Sequence, residues 1–308
     1  MTAIRRIIAN GVHDLRVRRF PVEPAPRPDG RGPYPLIWHG LPRQTRLDSD
    51  GVVVVDHPEN GSYPNPVSMC LYALSWHSRV HHDAPADPAT RQDRLAPLLT
   101  QARWLREHQD PDGGWRYPVP IPRYRVPAGW YSGMAQGLAV STLLRAYDLT
   151  DEKSFADSAD GAIELLLRSV DQGGCADYDV TGRPFLEECA KTPANHVLNG
   201  AIFALFGLIE HQHRRGGTAH VPAQQRLADE LGHYDLGYWS RYDREFAWPA
   251  TANYHSLHVS LLTALAKLTG QPVFQATAVR WRRQLTNPIW VLRARTVKAA
   301  QVWRHRHV

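Results

Sequence analysis

From Val67 onward, apolar positions recur three and four residues apart, a spacing that predicts helices over 67–78, 87–108, 130–149, 152–170, 194–213, 222–231, 254–270 and 272–285. Several edges carry stop or start residues: Asp87 precedes Pro88, Asp151 precedes Glu152, Gly270 follows one segment and Pro272 opens the next. The segments beginning near 67, 130, 194 and 254 are the more apolar, as in Leu198 to Leu208 and Leu257 to Leu265. Those between them carry charge, as in Arg91 to Arg106 and Glu152 to Arg168. An apolar helix followed by a charged one, repeated at roughly sixty-residue intervals, predicts a mainly α fold built as an incomplete α/α toroid of about four helical hairpins. The apolar helices form its inner wall, and the loops before them meet at one end.

Residues 1–60 break this pattern. Seven prolines between Pro21 and Pro42 predict an extended arm, and Val52 to Val55 after a Ser-Asp-Gly turn predicts a short strand or β-hairpin. The toroid is expected over 61–286, and 287–308 forms a basic tail. With Trp290, Leu292, Val297 and Trp303 among its arginines, that tail is read as an amphipathic helix, either interfacial or packed on the body.

The chain of 308 residues is 43% apolar and 21% charged, which suits a globular protein with a sizeable core. It holds no run of eighteen apolar residues, and Arg5, Arg6 and Ile7 to Ala9 lack the apolar stretch of a secretory signal. Cys70, Cys175 and Cys189 form neither a disulfide framework nor a thiolate metal site. A cytoplasmic protein is therefore expected, peripheral to a membrane if the tail is interfacial. The net charge of +6 is unevenly placed: residues 246–308 contain nine Lys or Arg and no Asp or Glu. Such a block attracts acidic glycans, anionic membranes or nucleic acid, and the absence of a nucleic-acid motif removes the last. A homodimer is compatible with this pattern and not required by it.

Ten Trp and twelve Tyr exceed what a core of this size needs, and such rings stack on sugars while hydrogen bonding at their edges. They concentrate with carboxylates in the loops before the inner helices: Tyr63, Trp130, Tyr131, Glu187, Glu188 and Tyr254. The turn from Gln109 to Trp115 matches the Gln-x-x-x-Gly-x-Trp pattern of terpene cyclases, but no Asp-rich motif accompanies it. His255 and His258 share a helix face without a third ligand, so neither metal nor any other cofactor is expected.

Taken in order, Trp104-Leu105, Gly113-Gly-Trp115, Gly129-Trp-Tyr-Ser132, Met134-Ala-Gln-Gly137, Arg145-Ala-Tyr147, Glu187-Glu188, Thr192-Pro193, Val197-Leu-Asn-Gly200, Tyr242-Asp243, Tyr254-His255 and Arg280-Trp281 resemble the C-terminal catalytic domain of the D-glucuronyl C5-epimerases. These enzymes convert glucuronate to iduronate in heparan-type chains. The resemblance runs from about residue 60 to 285; the animal members also carry β-rich domains, so this chain resembles a minimal version. It implies an acidic, glucuronate-containing glycan as substrate, with Glu188, Tyr242 and Tyr254 as catalytic groups.

Chemistry requires such groups. Removing the C5 proton, alpha to a carboxylate, creates an enolate-like dianion, so the site must supply a base on one face and an acid on the other. Glu188 or a tyrosinate is assigned to one face and Tyr254 or Tyr242 to the other. A phenol acting as base would need a pKa depressed by cations, for which Arg244, His255 and His258 are the candidates. Tyr63, Trp130, Tyr131 and Asn199 are expected to line the cleft or pack its loops, and Arg123 and Arg125 to clamp a uronate carboxylate or remain solvated.

One departure stands out: the family has Tyr-Pro after the paired glutamates, and here Cys189-Ala190 follows. Either the phenol is dispensable, or the thiol replaces it, or the acceptor differs. The competing functions are a uronate β-elimination lyase and a non-catalytic uronate-glycan-binding module.

Overall fold

The computed structural model describes residues 17–38, 45–58, 60–83 and 87–306. The reading of residues 5–10 as lacking a signal segment and the end of the proline-rich stretch at Pro42 lie outside these, as do the last two residues of the tail and the side chain of Trp303.

Four hairpins of helices form the body: α1 (Pro66–His82) with α2 (Pro88–Glu107), α3 (Gly133–Thr150) with α4 (Lys153–Leu167), α5 (Leu198–Arg215) with α6 (His220–Glu230), and α7 (Ala252–Thr269) with α8 (Pro272–Thr286). The first members pack side by side in the order α1, α3, α5, α7, and each also packs on its own partner. α3 is buried from Gly133 to Ala146 and α5 from Leu198 to Gln212, whereas α2 buries only Leu95, Leu98, Gln101, Ala102 and Leu105. The mainly α architecture and the inner and outer roles read from polarity are those observed.

Helix starts are set by side-chain caps. Asn65 accepts from Ser68 N at 3.0 Å, Ser132 from Ala135 N at 3.2 Å and Thr251 from Tyr254 N at 3.3 Å, each satisfying a free N–H of a first turn. The helix expected from 130 starts at 133 because Trp130 is held in a bridge with Tyr117. The helix expected from 194 starts at 198, since Glu187 carboxylate oxygen Oε2 draws the backbone N–H groups of Asn195 and His196 out of helical pairing.

Two antiparallel hairpins precede α1 and α5. In the first, β1 (Val54–His57) pairs with β2 (Gly61–Pro64), with Val55 opposite Tyr63. In the second, β3 (Ala176–Tyr178) pairs with β4 (Pro184–Leu186). The second hairpin is absent from the helical pattern and carries Glu187 and Glu188 directly after it.

The N-terminal arm is part of the core. Tyr34 and Leu36 are fully buried among the inner helices, and Arg145 Nε donates to Gly32 O at 3.1 Å. Arg145 also donates to Glu210 through both terminal nitrogens at 2.9 Å, joining α3 to α5 near their C-terminal ends with both side chains 1% exposed. Helix α9 (Pro288–Arg306) places Ala294 with Tyr238, Trp239 and Ala252, while Ile289 and Leu292 face solvent. The tail therefore packs on the body through one edge and leaves an apolar pair exposed. Among the described residues no helix is long and apolar enough to cross a membrane.

Helices α3 and α5 meet backbone to backbone at Gly137 and Gly207, where a Cβ on Gly207 would overlap the Gly137 carbonyl and a Cβ on Gly137 would overlap the backbone of Phe203 and Ala204. Gly207→Ala is expected to force these helices apart and cost about 1–3 kcal/mol, read as a lower urea midpoint. An unchanged midpoint would mean that the contact yields without strain.

Candidate active site

Residues at or next to the starts of the four inner helices come together around Glu188. Gly133 N, at the start of α3, donates to Glu187 O at 2.9 Å, and Asn199 Nδ2, in the first turn of α5, donates to Glu188 Oε2 at 3.1 Å. Glycine is required on both sides: a Cβ at Gly133 would strike the Glu187 carbonyl, and one at Gly200 would strike the Glu188 side chain. The start of α1 contributes through Val67 N, which donates to Tyr117 OH at 3.4 Å, and Tyr117 senses the charge of Glu188.

The three residues assigned to catalysis are together. Tyr242 and Tyr254 meet edge to face with ring centres 4.7 Å apart, and the charge of Glu188 acts on both phenols. Tyr254 is the most exposed, at 38%, and also borders a second cavity of about 330 Å³ with Phe20, Trp38 and Leu257. Burial raises the Glu188 pKa to about 7; the Asn199 hydrogen bond works against the shift and Asp243 adds to it. Glu187, fully buried, is raised further, to about 8, although it accepts from Asn195 N and His196 N.

The phenols move the opposite way from a base. Burial raises Tyr242 and Tyr254, and the Glu188 charge raises them further; only Arg123 and a hydrogen bond from Tyr242 oppose this at Tyr254. A tyrosinate base is thereby replaced by neutral phenol donors beside a carboxylate that ionises near neutrality.

The cations expected to depress the phenols are elsewhere or uncharged. His255 and His258 are fully buried with Ser240 Oγ between their Nδ1 atoms at 2.8 and 2.9 Å, and His255 stacks on Trp239 at 3.8 Å. Burial lowers both to about 3, so they are neutral struts of α7 and not substrate contacts. Arg244 donates to Glu230 at 2.6 Å and meets His196 Nδ1 at 3.2 Å. Arg123 takes its place: its guanidinium meets Asp243 at 2.9 Å and lies over the rings of Tyr124, Tyr242, Phe246 and Trp248.

The remaining residues divide. Asn199 holds Glu188, and the Tyr63 hydroxyl accepts from Asn65 beside Tyr117. Trp130 and Arg125 border a cleft of about 590 Å³ that continues past Lys191 and Thr192. Tyr131 is a correction: it is 4% exposed, donates to Asp110 Oδ2 at 2.6 Å and is covered by Arg116, so it braces a loop. In that loop Gln109 donates to Gly113 O and Ser158 O, and Trp115 donates to Leu105 O, which makes the Gln-x-x-x-Gly-x-Trp element a staple between α2 and α4.

Cys189 is 2% exposed, packed with Tyr124, Val126 and Val197, and its thiol is raised well above the ordinary value by burial. Its proton is therefore retained, and the side chain fills the apolar cluster beside Glu188. Sequence reasoning missed Tyr124, whose hydroxyl donates to Asp243 at 2.8 Å beside Arg123. It sits in a Pro122–Tyr124 turn that no periodicity announces. Among the described residues, no cluster of three or more His, Cys, Asp or Glu is placed to hold a metal ion.

With this geometry in place, the relatives of the chain are informative. Residues 109–283 match the family described as D-glucuronyl C5-epimerase C-terminus. The chain is 30% identical over 217 residues to a D-glucuronyl C5-epimerase of Caenorhabditis elegans, covering 62% of this chain and 35% of that protein. It is 26% identical over 175 residues to an uncharacterized protein of Methanocaldococcus jannaschii, covering 54% of this chain and 56% of that one. The chain thus spans about a third to a half of the lengths of these relatives.

In the folded protein Glu188 holds its proton up to about pH 7, whereas an unfolded Glu releases it near 4.3. Between these values the unfolded state binds fewer protons, so this group lowers stability as pH rises. Glu188→Gln is expected to match the wild type in urea unfolding near pH 4 and to exceed it at pH 8. A difference that does not vary with pH would show that Glu188 titrates normally.

Proposed function

The chain belongs to the family of D-glucuronyl C5-epimerase C-terminal domains, and from that premise we propose that it epimerises D-glucuronate to L-iduronate at C5 within an acidic glycan. The observation that carries the proposal is the juxtaposition of a carboxylate raised to about 7 with two neutral phenols. A base with a pKa near the operating pH is ionised often enough to act and basic enough to take a carbon-bound proton.

In the proposed reaction Glu188 removes the C5 proton from one face. The electron pair of the C–H bond moves into C5–C6 and onto the uronate carboxylate. Tyr254, backed by Tyr242, donates its hydroxyl proton to C5 from the other face, leaving a phenolate and a protonated Glu188. The hydrogen bond between the phenols spreads that phenolate charge, and exchange with water resets both groups. Return from iduronate uses the same groups in reverse. The enediolate is favoured by the N-terminal ends of the four inner helices, whose dipoles present positive potential to an anion. Arg123, paired with Asp243 and overlying Tyr242, holds that phenol in place at the same end.

The acceptor glycan and the setting belong to the same proposal. Helix α9 carries arginines and a lysine without an acidic residue, and its exposed Ile289 and Leu292 offer apolar contact, which fits a polyanionic or anionic lipid surface. Free, buried Cys70, Cys175 and Cys189 suit a reducing, cytoplasmic compartment.

The test is incubation with unsulfated heparosan in heavy water, with C5 deuterium and iduronate followed by NMR and absorbance recorded for a 4,5-double bond. Deuterium and iduronate without absorbance are expected, at a rate that rises with pH through about 7. Glu188→Gln and Tyr254→Phe should each lower exchange by at least ~10²-fold while retaining the fold. Rising absorbance would replace the epimerase with a lyase, and full exchange by Tyr254→Phe would remove that residue from the reaction.

A further inference from the structure

Besides meeting Tyr242, Tyr254 forms one wall of the cavity of about 330 Å³, whose other walls come from the N-terminal arm, with Arg18, Phe20 and Trp38, and from Asn253 and Leu257 of α7. The arm is tied to the first turns of α7: Asn253 Oδ1 accepts from Arg18 N at 2.8 Å, and Ser256 Oγ donates to Arg18 O at 2.8 Å. Phe20 and Trp38 lie on two runs of the arm joined by the Val22–Leu36 bridge and by Ile37 N donating to Pro21 O at 2.8 Å. Their rings meet edge to face with centres 5.4 Å apart, and Trp38 stacks on Phe203 of α5 at 6.2 Å. These walls are fixed by the fold, so a ligand entering between them has little left to order.

The lining selects the occupant. The volume lies in the range of about 300–1,000 Å³ usual for small-molecule sites, and three aromatic rings with Leu257 supply most of the surface. The side-chain oxygen of Asn253 is taken by the arm, which leaves Arg18 at the exposed rim and the indole N–H of Trp38. That N–H is buried and has no hydrogen-bond partner among the described residues. A further sugar placed here would bring several hydroxyls, each exchanging its bonds to water for none. An alkyl chain loses nothing of that kind and gains the burial of its methylenes. Apolar surface also adjoins the start of the arm: Val17 packs with Trp290 and Val291 of α9, next to the exposed Ile289 and Leu292.

We propose that this cavity receives the apolar aglycone of a glucuronide, so that the protein also epimerises a glucuronate carried as a single unit on an alkyl chain. The inference rests on the C5-epimerase reading and goes beyond its glycan substrate. In a pyranose C1 is joined to C5 through the ring oxygen, so a group on C1 of a uronate reacting at Tyr254 comes next to that phenol. The Trp38 N–H is then a donor for the glycosidic oxygen, and Phe20 and Leu257 cover the chain. The reaction is unchanged: Glu188 takes the C5 proton, Tyr254 returns one from the other face, and the bond from C1 to the aglycone stays intact.

The experiment offers methyl, butyl and octyl β-D-glucuronide, each below its micelle-forming concentration, and unsulfated heparosan to the full chain in heavy water. C5 deuterium is read by NMR and binding by calorimetry. Each methylene withdrawn from water favours binding about fourfold, so kcat/KM and affinity are expected to rise at least ~tenfold from methyl to octyl. Phe20→Ser and Leu257→Ser should flatten the series and Phe20→Leu should keep most of it, with thermal melts confirming that each variant is folded. A flat series in the wild type, with heparosan exchanging, overturns the aglycone site and leaves the epimerase reading standing. A rise that persists in both serine variants overturns the assignment to this cavity. Absence of exchange with every probe overturns the epimerase reading, and the calorimetric series then still decides whether the cavity takes the chain.

Discussion

Four glycines allow backbone to touch where side chains would hold it apart, and the site depends on that closeness. Gly137 and Gly207 bring α3 against α5. Gly133 and Gly200, at the starts of the same two helices, leave a gap just wide enough for the segment that follows β4. Glu187 and Glu188 fill it, the first bonded through its carbonyl to Gly133 N and the second through its carboxylate to Asn199. A larger residue at any of these positions would move the carboxylate or widen its surroundings toward water. The steric constraint is thus the cause of the electrostatic one: a carboxylate packed between two helix ends is desolvated, and its pKa rises to about 7.

The two ends of α3 and α5 show how partners decide what a buried carboxylate does. Near the C-terminal ends, Glu210 receives both terminal nitrogens of Arg145 at 2.9 Å, and the pair clamps the helices and the N-terminal arm. At the N-terminal ends, Glu188 receives an amide from Asn199, and its neighbours are phenols. Asn199 orients the carboxylate without holding it ionised as a guanidinium would. The cation of the site, Arg123, is instead spent on Asp243 under a canopy of aromatic rings, which fixes the turn that carries Tyr124 and Arg125.

Ordered motifs located the site but could not separate contact from support. Tyr242, Tyr254 and Glu188 stand in those motifs and meet in space, yet Tyr131 and His255 stand in them too and hold a loop and helix α7 in place. Both groups combine aromatic or titratable side chains with loop positions, and the difference is only which way each points. The turn from Gln109 to Trp115 shows the same ambiguity, since its polar atoms all bond to backbone of neighbouring helices. Tyr124 escaped attention for the converse reason: a three-residue turn carries no period, and 119 positions separate Tyr124 from its partner Asp243.

Local spacing therefore determined the helices, their inner and outer roles, the hairpin at the start of the body and the gathering of aromatic and acidic loops at one end. Each of these follows from interactions between residues a few positions apart, which the order of side chains records directly. Tertiary packing alone decided that β3 and β4 deliver Glu188 between α3 and α5, that its proton is held to about pH 7, and that the phenols beside it stay neutral. It also decided that the histidines serve the core and that Arg125 is left unpaired in the cleft. Desolvation and charge coupling depend on which distant segments surround a group, and a linear pattern does not contain that information.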